Sequence, residues 1–398
     1  SLDNLYLPRL HRRGYVSLDV GDAQAAVSSP GGHVLDSAPG LYDNVLLLDF
    51  KSLYPSIIRT FQIDPLGLWA PGEDPIEGFL GAEFAREGAI LPGLINTLWE
   101  ARDAAKRERN GALSQAIKII MNSFYGVLGS SGCRFFDPRL ASSITRRGHE
   151  VLKRSRDFIE QRGFKVIYGD TDSLFVLIGA LTEAHEAQAI GQQLASALNQ
   201  WWKQNLATEH QLTSRLEVEF ETHFERFLMP TLRGSELGSK KRYAGVVRQA
   251  NGSPALVFKG LETVRTDWTP LARQFQRELY RRIFMDEPFE NFVQDTATRL
   301  YSGELDAELV YRKRLRRDAS DYQRNVPPQV QAARLAGQAS GWVRYIITLQ
   351  GPQPTTGLSA QADYDHYKER QLAPVADAIL RFKGTSFKAL TDRQMSIF

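Results

Sequence analysis

The chain has 398 residues, of which 42% are hydrophobic, with 49 basic and 46 acidic side chains and a formal net charge of +3. That length holds two or three domains with ordinary globular cores, and no apolar run reaches the length of a membrane span. So small a net charge does not by itself announce nucleic acid, and the single cysteine, Cys133, excludes an intrachain disulfide and reads as a small buried thiol in a reducing, cytoplasmic compartment.

Residues 1 to about 33 read as a lead-in with no signal peptide, closed by the loop Ser28-Ser29-Pro30-Gly31-Gly32. Val45-Leu46-Leu47-Leu48 is an unbroken apolar run, as expected of a strand buried on both faces, and it ends at Asp49. Ser52 and Pro55 then signal a turn into a helix. Gly67 to Gly81, rich in Gly, Pro and acids, predicts a surface loop. Leu91–Asn110 and Leu113–Gly126 predict an antiparallel helical hairpin, with Asn110-Gly111 as stop and turn. Beyond residue 129 helix and strand mix. Arg147–Arg162 and Ala184–Gln204 have helical composition, and Leu216–Glu221 alternates like a strand. From about residue 259 helix dominates, with breaks at Pro327-Pro328 and Gly351-Pro352. No internal repeat or low-complexity tract is found.

The most informative stretch is Tyr168-Gly169-Asp170-Thr171-Asp172-Ser173, set between the apolar runs Val166-Ile167 and Leu174–Ile178. Two strands joined by a tight turn put two carboxylates at a hairpin tip. If the turn stays extended, Asp170 and Asp172 point the same way. Crowded carboxylates repel unless a cation neutralises them, and hard oxygen donors suit Mg²⁺. An Asp-rich turn without chemistry is the alternative for this motif alone. Asp49 supplies a further carboxylate at the end of a buried strand. Lys118, Asn122 and Tyr125 stand at i, i+4 and i+7, so a helix presents a cation, an amide and an aromatic ring on one face. Arg102 and Lys106 likewise share a face, read either as solvated or as phosphate-binding. Tyr311 to Arg317 carries five cations in seven residues, and Lys240, Lys241, Arg242 and Arg248 form a second basic cluster.

In this order, Asp49–Ile58, Lys118–Gly126 and Tyr168–Ser173 resemble the three signature motifs of the family B DNA polymerases. They match Asp-x-x-Ser-Leu-Tyr-Pro-Ser-Ile-Ile, Lys-x-x-x-Asn-Ser-x-Tyr-Gly and Tyr-Gly-Asp-Thr-Asp-Ser. The likeness extends to Lys240–Tyr243 and Lys259–Arg265. It runs from about Gly31 to the C-terminus and is strongest to the bacterial polymerase II branch.

The resemblance implies an α+β, right-hand polymerase architecture. A palm with an antiparallel sheet would take 34–87 and 129–258, short helical-hairpin fingers 88–128, and a mostly helical thumb 259–398. The family normally carries an amino-terminal domain and a 3′–5′ exonuclease ahead of the palm. Too little chain precedes Asp49 for either, so a fragment or short form without proofreading is expected.

The implied catalytic residues are Asp49 and Asp172, with Asp170 close by. Two Mg²⁺ ions would be held by Asp49, the Phe50 carbonyl and Asp172. Ser52, Leu53, Tyr54, Arg102, Lys106, Lys118 and Asn122 would bind the deoxynucleoside triphosphate, with Tyr54 as a steric gate against ribose. Tyr125, Gly126, Lys240, Lys241, Arg242, Tyr243, Lys259 and Arg314 would bind primer-template DNA. The terminal Gln394-Met395-Ser396-Ile397-Phe398 resembles the pentapeptide that binds the bacterial sliding clamp, although Met395 and Ile397 replace the commoner leucines. A monomer working at the nucleoid is expected. The alternative is a DNA-binding and clamp-binding module without catalysis. A metal-dependent nuclease would share the carboxylates but not the Lys–Asn–Tyr helix or the gate.

Overall fold

Residues 2–21, 31–180, 184–231, 238, 240–324 and 326–392 are described by a computed structural model. The chain divides into two units, one of Ser1–Ser37 and Asn44–His223, the other of Ala38–Asp43 and Phe224–Phe398.

The first unit opens with α1 (Leu2–His11), whose Leu2, Tyr6 and Leu10 are buried, so the lead-in is anchored in the core. Strand β1 (Gly40–Phe50) enters this unit at Asn44, and Val45 to Leu48 are all buried, as their unbroken apolar run demands. Next come α2 (Leu53–Phe61), α3 (Pro65–Trp69) and the small hairpin β2 (Ile76–Glu77) and β3 (Glu83–Phe84). Residues 70–75 form the surface loop that the composition of Gly67–Gly81 predicts, but the stretch begins inside α3 and runs on into β2. Asp64 caps α3, accepting from the Gly67 N–H at 3.0 Å, and Gly67, Leu68 and Ile76 are drawn into the interior.

Helices α4 (Leu91–Arg107) and α5 (Gly111–Leu128) pack together across the connection 108–110. Asn110 is the cap of α5, accepting from the Leu113 N–H at 3.0 Å, so the expected stop is also a start. Helix α6 (Pro138–Glu160) begins earlier than its apolar periodicity suggests, because Asp137 caps it and Pro138 fits its first turn. Then follow β4 (Lys165–Asp170), β5 (Ser173–Leu177), α7 (Ala184–His210) and β6 (Val218–Met229). The strand order is β4-β5-β1-β6, with β4 and β1 each antiparallel to β5. Helix α6 packs on α2, α5 and α7 and on β4 and β5. The core includes Leu48, Phe50, Ile57, Val151, Leu174 and Trp202.

Strand β6 continues into the second unit, where it pairs with β7 (Tyr243–Arg248), itself paired with β8 (Pro254–Lys259). Next come α8 (Pro270–Phe284), α9 (Glu290–Tyr301), β9 (Tyr311–Arg314), α10 (Pro328–Leu335), β10 (Trp342–Thr348) and β11 (Gly351–Pro354). The chain closes with α11 (Tyr364–Tyr367), α12 (Ala373–Leu380) and α13 (Phe387–Thr391). Helix dominates here as expected, but a three-stranded antiparallel sheet, β11-β10-β9, is set among the helices. Gly351-Pro352 opens a strand instead of interrupting a helix. The alternation Trp342 out, Val343 in, Arg344 out, Tyr345 in is the signal that composition obscured. Both units combine helices with antiparallel strands, which makes the fold α+β.

Candidate active site

Strand β5 lies between β4 and β1, so Ser173 is paired with Asp170 on one side and Asp49 on the other. The Ser173 hydroxyl donates to Asp49 Oδ1 at 2.7 Å and stands 3.4 Å from Asp172 Oδ1. The Phe50 N–H donates to the Asp172 carbonyl oxygen at 2.8 Å. Segments 124 residues apart thus bring two carboxylates to one hydroxyl. The turn is not extended, as the expectation for Asp170 and Asp172 required. The Asp172 N–H bonds back to the Asp170 carbonyl at 2.6 Å, and Thr171 has φ 56. A β-branched residue rarely enters that left-handed region, and such strain persists only where the surroundings impose it. Here the Thr171 N–H is held by the His33 carbonyl at 2.8 Å, and its hydroxyl donates to Asp170 Oδ1 at 3.0 Å.

Burial first, and then the charge of Asp172, pushes the Asp49 carboxyl up to about 7, against the pull of the Ser173 hydrogen bond. Burial also raises Asp172; Asp170 adds to the rise, while Ser173 and the Lys118 charge oppose it. Two desolvated carboxylates that resist joint ionisation fit a divalent cation, which would relieve both penalties. Among the described residues no three His, Cys, Asp or Glu side chains converge as a metal cluster. Mg²⁺ is commonly bound through one or two carboxylates, with waters and substrate phosphates as the other ligands. The pair Asp49 and Asp172 suits that mode.

A cleft of about 430 Å³ adjoins Asp49, with Ser52, Arg102, Lys106, Lys118 and Glu219 in its walls. Ser52 precedes α2 at φ 45 and ψ 61, and its side chain makes no capping bond to that helix. The Ser52 Oγ and the Arg102 Nε are both buried and without a hydrogen-bond partner among the described residues. A buried unsatisfied polar group costs about 1–3 kcal/mol, so two beside one cleft mark where ligand oxygens fit. Lys106 reaches only a loose contact with Asp103 at 3.9 Å, and Lys118 and Asn122 are exposed on α5. Leu53 is buried in the core and is not in the walls of the cleft.

The Tyr54 ring lies 4.8 Å from that of Tyr125, centroid to centroid. Burial first, then Tyr125, Asp172 and Asp170, push the Tyr54 hydroxyl up to about 12. Behind Tyr54, a Cβ on Gly148 would come within 3.1 Å of Tyr54 Cε1. The sequence reading missed Gly148, although a glycine inside a helical pattern is a signal for close packing. Gly126, by contrast, has nothing within 4 Å of a Cβ position, so no internal packing accounts for it. Also missed was Lys51, whose Nζ contacts Glu217 at 2.5 Å and Glu219 at 3.1 Å on the cleft wall.

The remaining expected DNA contacts lie in the second unit. Lys240, Lys241 and Lys259 are exposed. Arg242 is instead held by Glu262 at 2.5 Å, and Tyr243 is buried with its ring 5.3 Å from Phe227. These two anchor the basic turn. Gly260 has φ 61, and a Cβ there would meet the Lys241 carbonyl at 2.3 Å, so it lets the two basic segments cross. Arg314 is exposed on β9, paired with Trp342. Gln394 to Phe398 lie outside the described residues.

The family model described as DNA polymerase family B matches residues 3–73 and 83–349. The chain is 53% identical over 412 aligned residues to DNA polymerase II of Escherichia coli (strain K12), covering 99% of this chain and 52% of that protein. It is 30% identical over 388 residues to the DNA polymerase of Thermococcus sp. (strain 9oN-7), covering 89% of this chain and 47% of that one. The family B DNA polymerase from the hyperthermophilic archaeon Pyrobaculum calidifontis superposes with a TM-score of 0.64 at 25% identity, covering 94% of this chain and 49% of that structure. The chain spans about half the length of the curated relatives it matches.

Proposed function

The chain belongs to DNA polymerase family B, and from that premise we propose that it extends a primer 3′-hydroxyl with deoxynucleotides along a DNA template. The observation that carries this reading is the meeting of Asp49 and Asp172 at the Ser173 hydroxyl beside a cleft walled by Arg102, Lys106 and Lys118. Phosphoryl transfer asks a protein mainly for positioning and charge neutralisation, and this cleft supplies both.

Asp49, Asp172 and the Phe50 carbonyl would hold two Mg²⁺ ions, which would supply activation of the primer hydroxyl and neutralisation of charge on the departing pyrophosphate. Asp170 adds to the negative field without being a ligand. Arg102, Lys106 and Lys118 bind the triphosphate, and the Ser52 hydroxyl and Arg102 Nε–H donate to its oxygens. Asn122 borders the nucleotide on the same helix. Tyr54, backed by Gly148 and Tyr125, closes the space a 2′-hydroxyl would need. Tyr125 and Gly126 border the nascent pair, while Lys240, Lys241, Lys259 and Arg314 bind the primer-template backbone. In this reading 34–87 and 129–258 form the palm, 88–128 the fingers and 259–398 the thumb. The terminal Gln394 to Phe398 bind the sliding clamp of the nucleoid replication machinery.

Primer extension with Mg²⁺ and the four deoxynucleotides tests the reading. Asp49→Asn and Asp172→Asn are each expected to lose at least about 1,000-fold in rate, the scale of losing a principal electrostatic contact to the transition state. Near-normal extension by either variant refutes the assignment. Binding of primer-template without extension by the wild type would mark a DNA-binding module instead.

A further inference from the structure

A second and larger groove, of about 830 Å³, lies in the first unit along α7 and the start of β6, and it shares Trp99, Glu217 and Glu219 with the catalytic cleft. Along α7, Ala187, Leu194 and Leu198 go into the core, while Gln188, Gln192, Asn199 and Lys203 face the groove. Opposite them stand Arg59 and Arg215. Arg59 stacks on Trp99 at 4.5 Å, and its Nε donates to the neutral Asn96 Oδ1 at 2.6 Å. None of Arg59, Lys203 and Arg215 is in an ion pair with a described residue. Burial and then the Arg215 charge lower the Arg59 guanidinium from its ordinary value, against the opposing charges of Asp103 and Glu100. Two like charges kept together in an open polar groove, neither in an ion pair with a described residue, are an attractor for an anion. The two acids on the shared rim, Glu217 and Glu219, are already engaged by Lys51.

We propose that this groove is a polyphosphate vestibule of the catalytic cleft, in which Arg59, Arg215 and Lys203 bind the triphosphate of an arriving nucleotide or the pyrophosphate that departs. The inference rests on the polymerase reading for its role and on the groove alone for its ligand. Guanidinium and ammonium groups bind the anion's charge, and the amides of Gln188 and Gln192 replace water around its oxygens. The shared rim gives the ligand a continuous path from this groove to Arg102, Lys106 and Lys118.

The test uses the double variant Lys203→Ala/Arg215→Ala, because both side chains are exposed and neither is in the catalytic cleft. Calorimetric titration with inorganic pyrophosphate is expected to lose one binding event in this variant, and Lys118→Ala is expected to keep that event. In primer extension, the variant's inhibition constant for pyrophosphate should rise by about five- to twentyfold if the vestibule serves departure. Its KM for deoxynucleotides should rise by a like factor if it serves arrival, at about fivefold or less for each exposed charge. Pyrophosphate binding unchanged by the double variant overturns the proposal. So does unchanged pyrophosphate binding with a loss of affinity for oligo-dT, which would assign the groove to a nucleic-acid strand. If the chain makes no DNA, the polymerase reading fails, but the calorimetry still decides the site.

Discussion

Ser173 Oγ donates to Asp49 Oδ1 at 2.7 Å across the β1–β5 pair, and the same oxygen stands 3.4 Å from Asp172 Oδ1. One hydroxyl proton serves one carboxylate at a time, so the second is left with its charge unrelieved. Burial and then the Asp172 charge raise the Asp49 carboxyl to about 7 even though it receives the Ser173 hydrogen bond, so one hydroxyl does not relieve the pair as a divalent cation would.

Removing the charge at Asp49 should stabilise the metal-free protein at alkaline pH. A carboxyl raised in the folded state stabilises it fully below the ordinary aspartate range, and that contribution is lost as pH rises to about 7. With EDTA present, Asp49→Asn is expected to melt a few degrees above the wild type at pH 8 and level with it near pH 4. Added Mg²⁺ should narrow the gap, since it binds the wild type more tightly. Equal melting curves at pH 8 would contradict the strained carboxylate.

Tyr54→Val should weaken the choice of sugar. The ring is held between Tyr125 and Gly148, so its removal opens space that no neighbour fills. Discrimination between deoxy- and ribonucleotides, read as the ratio of kcat/KM values, is expected to fall on the order of 100-fold. An unchanged ratio would remove Tyr54 from the sugar's path.

Lys118→Ala should raise KM for the nucleotide and lower kcat together. Its charge already bears on Asp172 from α5. Loss of a charge-assisted contact costs about 1.5–3 kcal/mol, or roughly 10- to 150-fold in kcat/KM. Single-nucleotide incorporation measures both constants, and unchanged values would place Lys118 outside the working complex.

Gly260→Ala should destabilise the second unit. The residue has φ 61, and the new Cβ would press on the Lys241 carbonyl at 2.3 Å. The left-handed backbone alone costs about 1–2 kcal/mol for an L-residue, and the clash adds to it. Thermal denaturation should show the loss, and primer-template affinity should fall because Lys241 and Lys259 are displaced. A variant as stable as the wild type would mean that the crossing relaxes freely.

Local patterns named the elements well where one signal acted alone. Val45 to Leu48 could be read as a buried strand, and the helical spacing of Lys118, Asn122 and Tyr125 as one helix face. The same logic failed where signals competed. Gly67–Gly81 has a loop's composition and is surface loop at residues 70–75, yet Asp64 folds its first residues into α3, and the arginines of β9 concealed a strand beneath a charge run. The resemblance marks Arg242 and Tyr243 as DNA contacts, but no local pattern shows that Glu262 pairs with Arg242 and that the Phe227 ring packs on the buried Tyr243.

The order of motifs along the chain determined the family and the candidate carboxylates, because residue type and spacing alone limit which chemistry is possible. Only the tertiary structure decided that Ser173 stands between Asp49 and Asp170, that Thr171 carries the strained turn, and that Ser52 Oγ and Arg102 Nε are left unpaired beside one cleft. Those relationships depend on strand register and on which atoms burial separates from water. Both are set by contacts between residues far apart in the chain, and no local pattern encodes them.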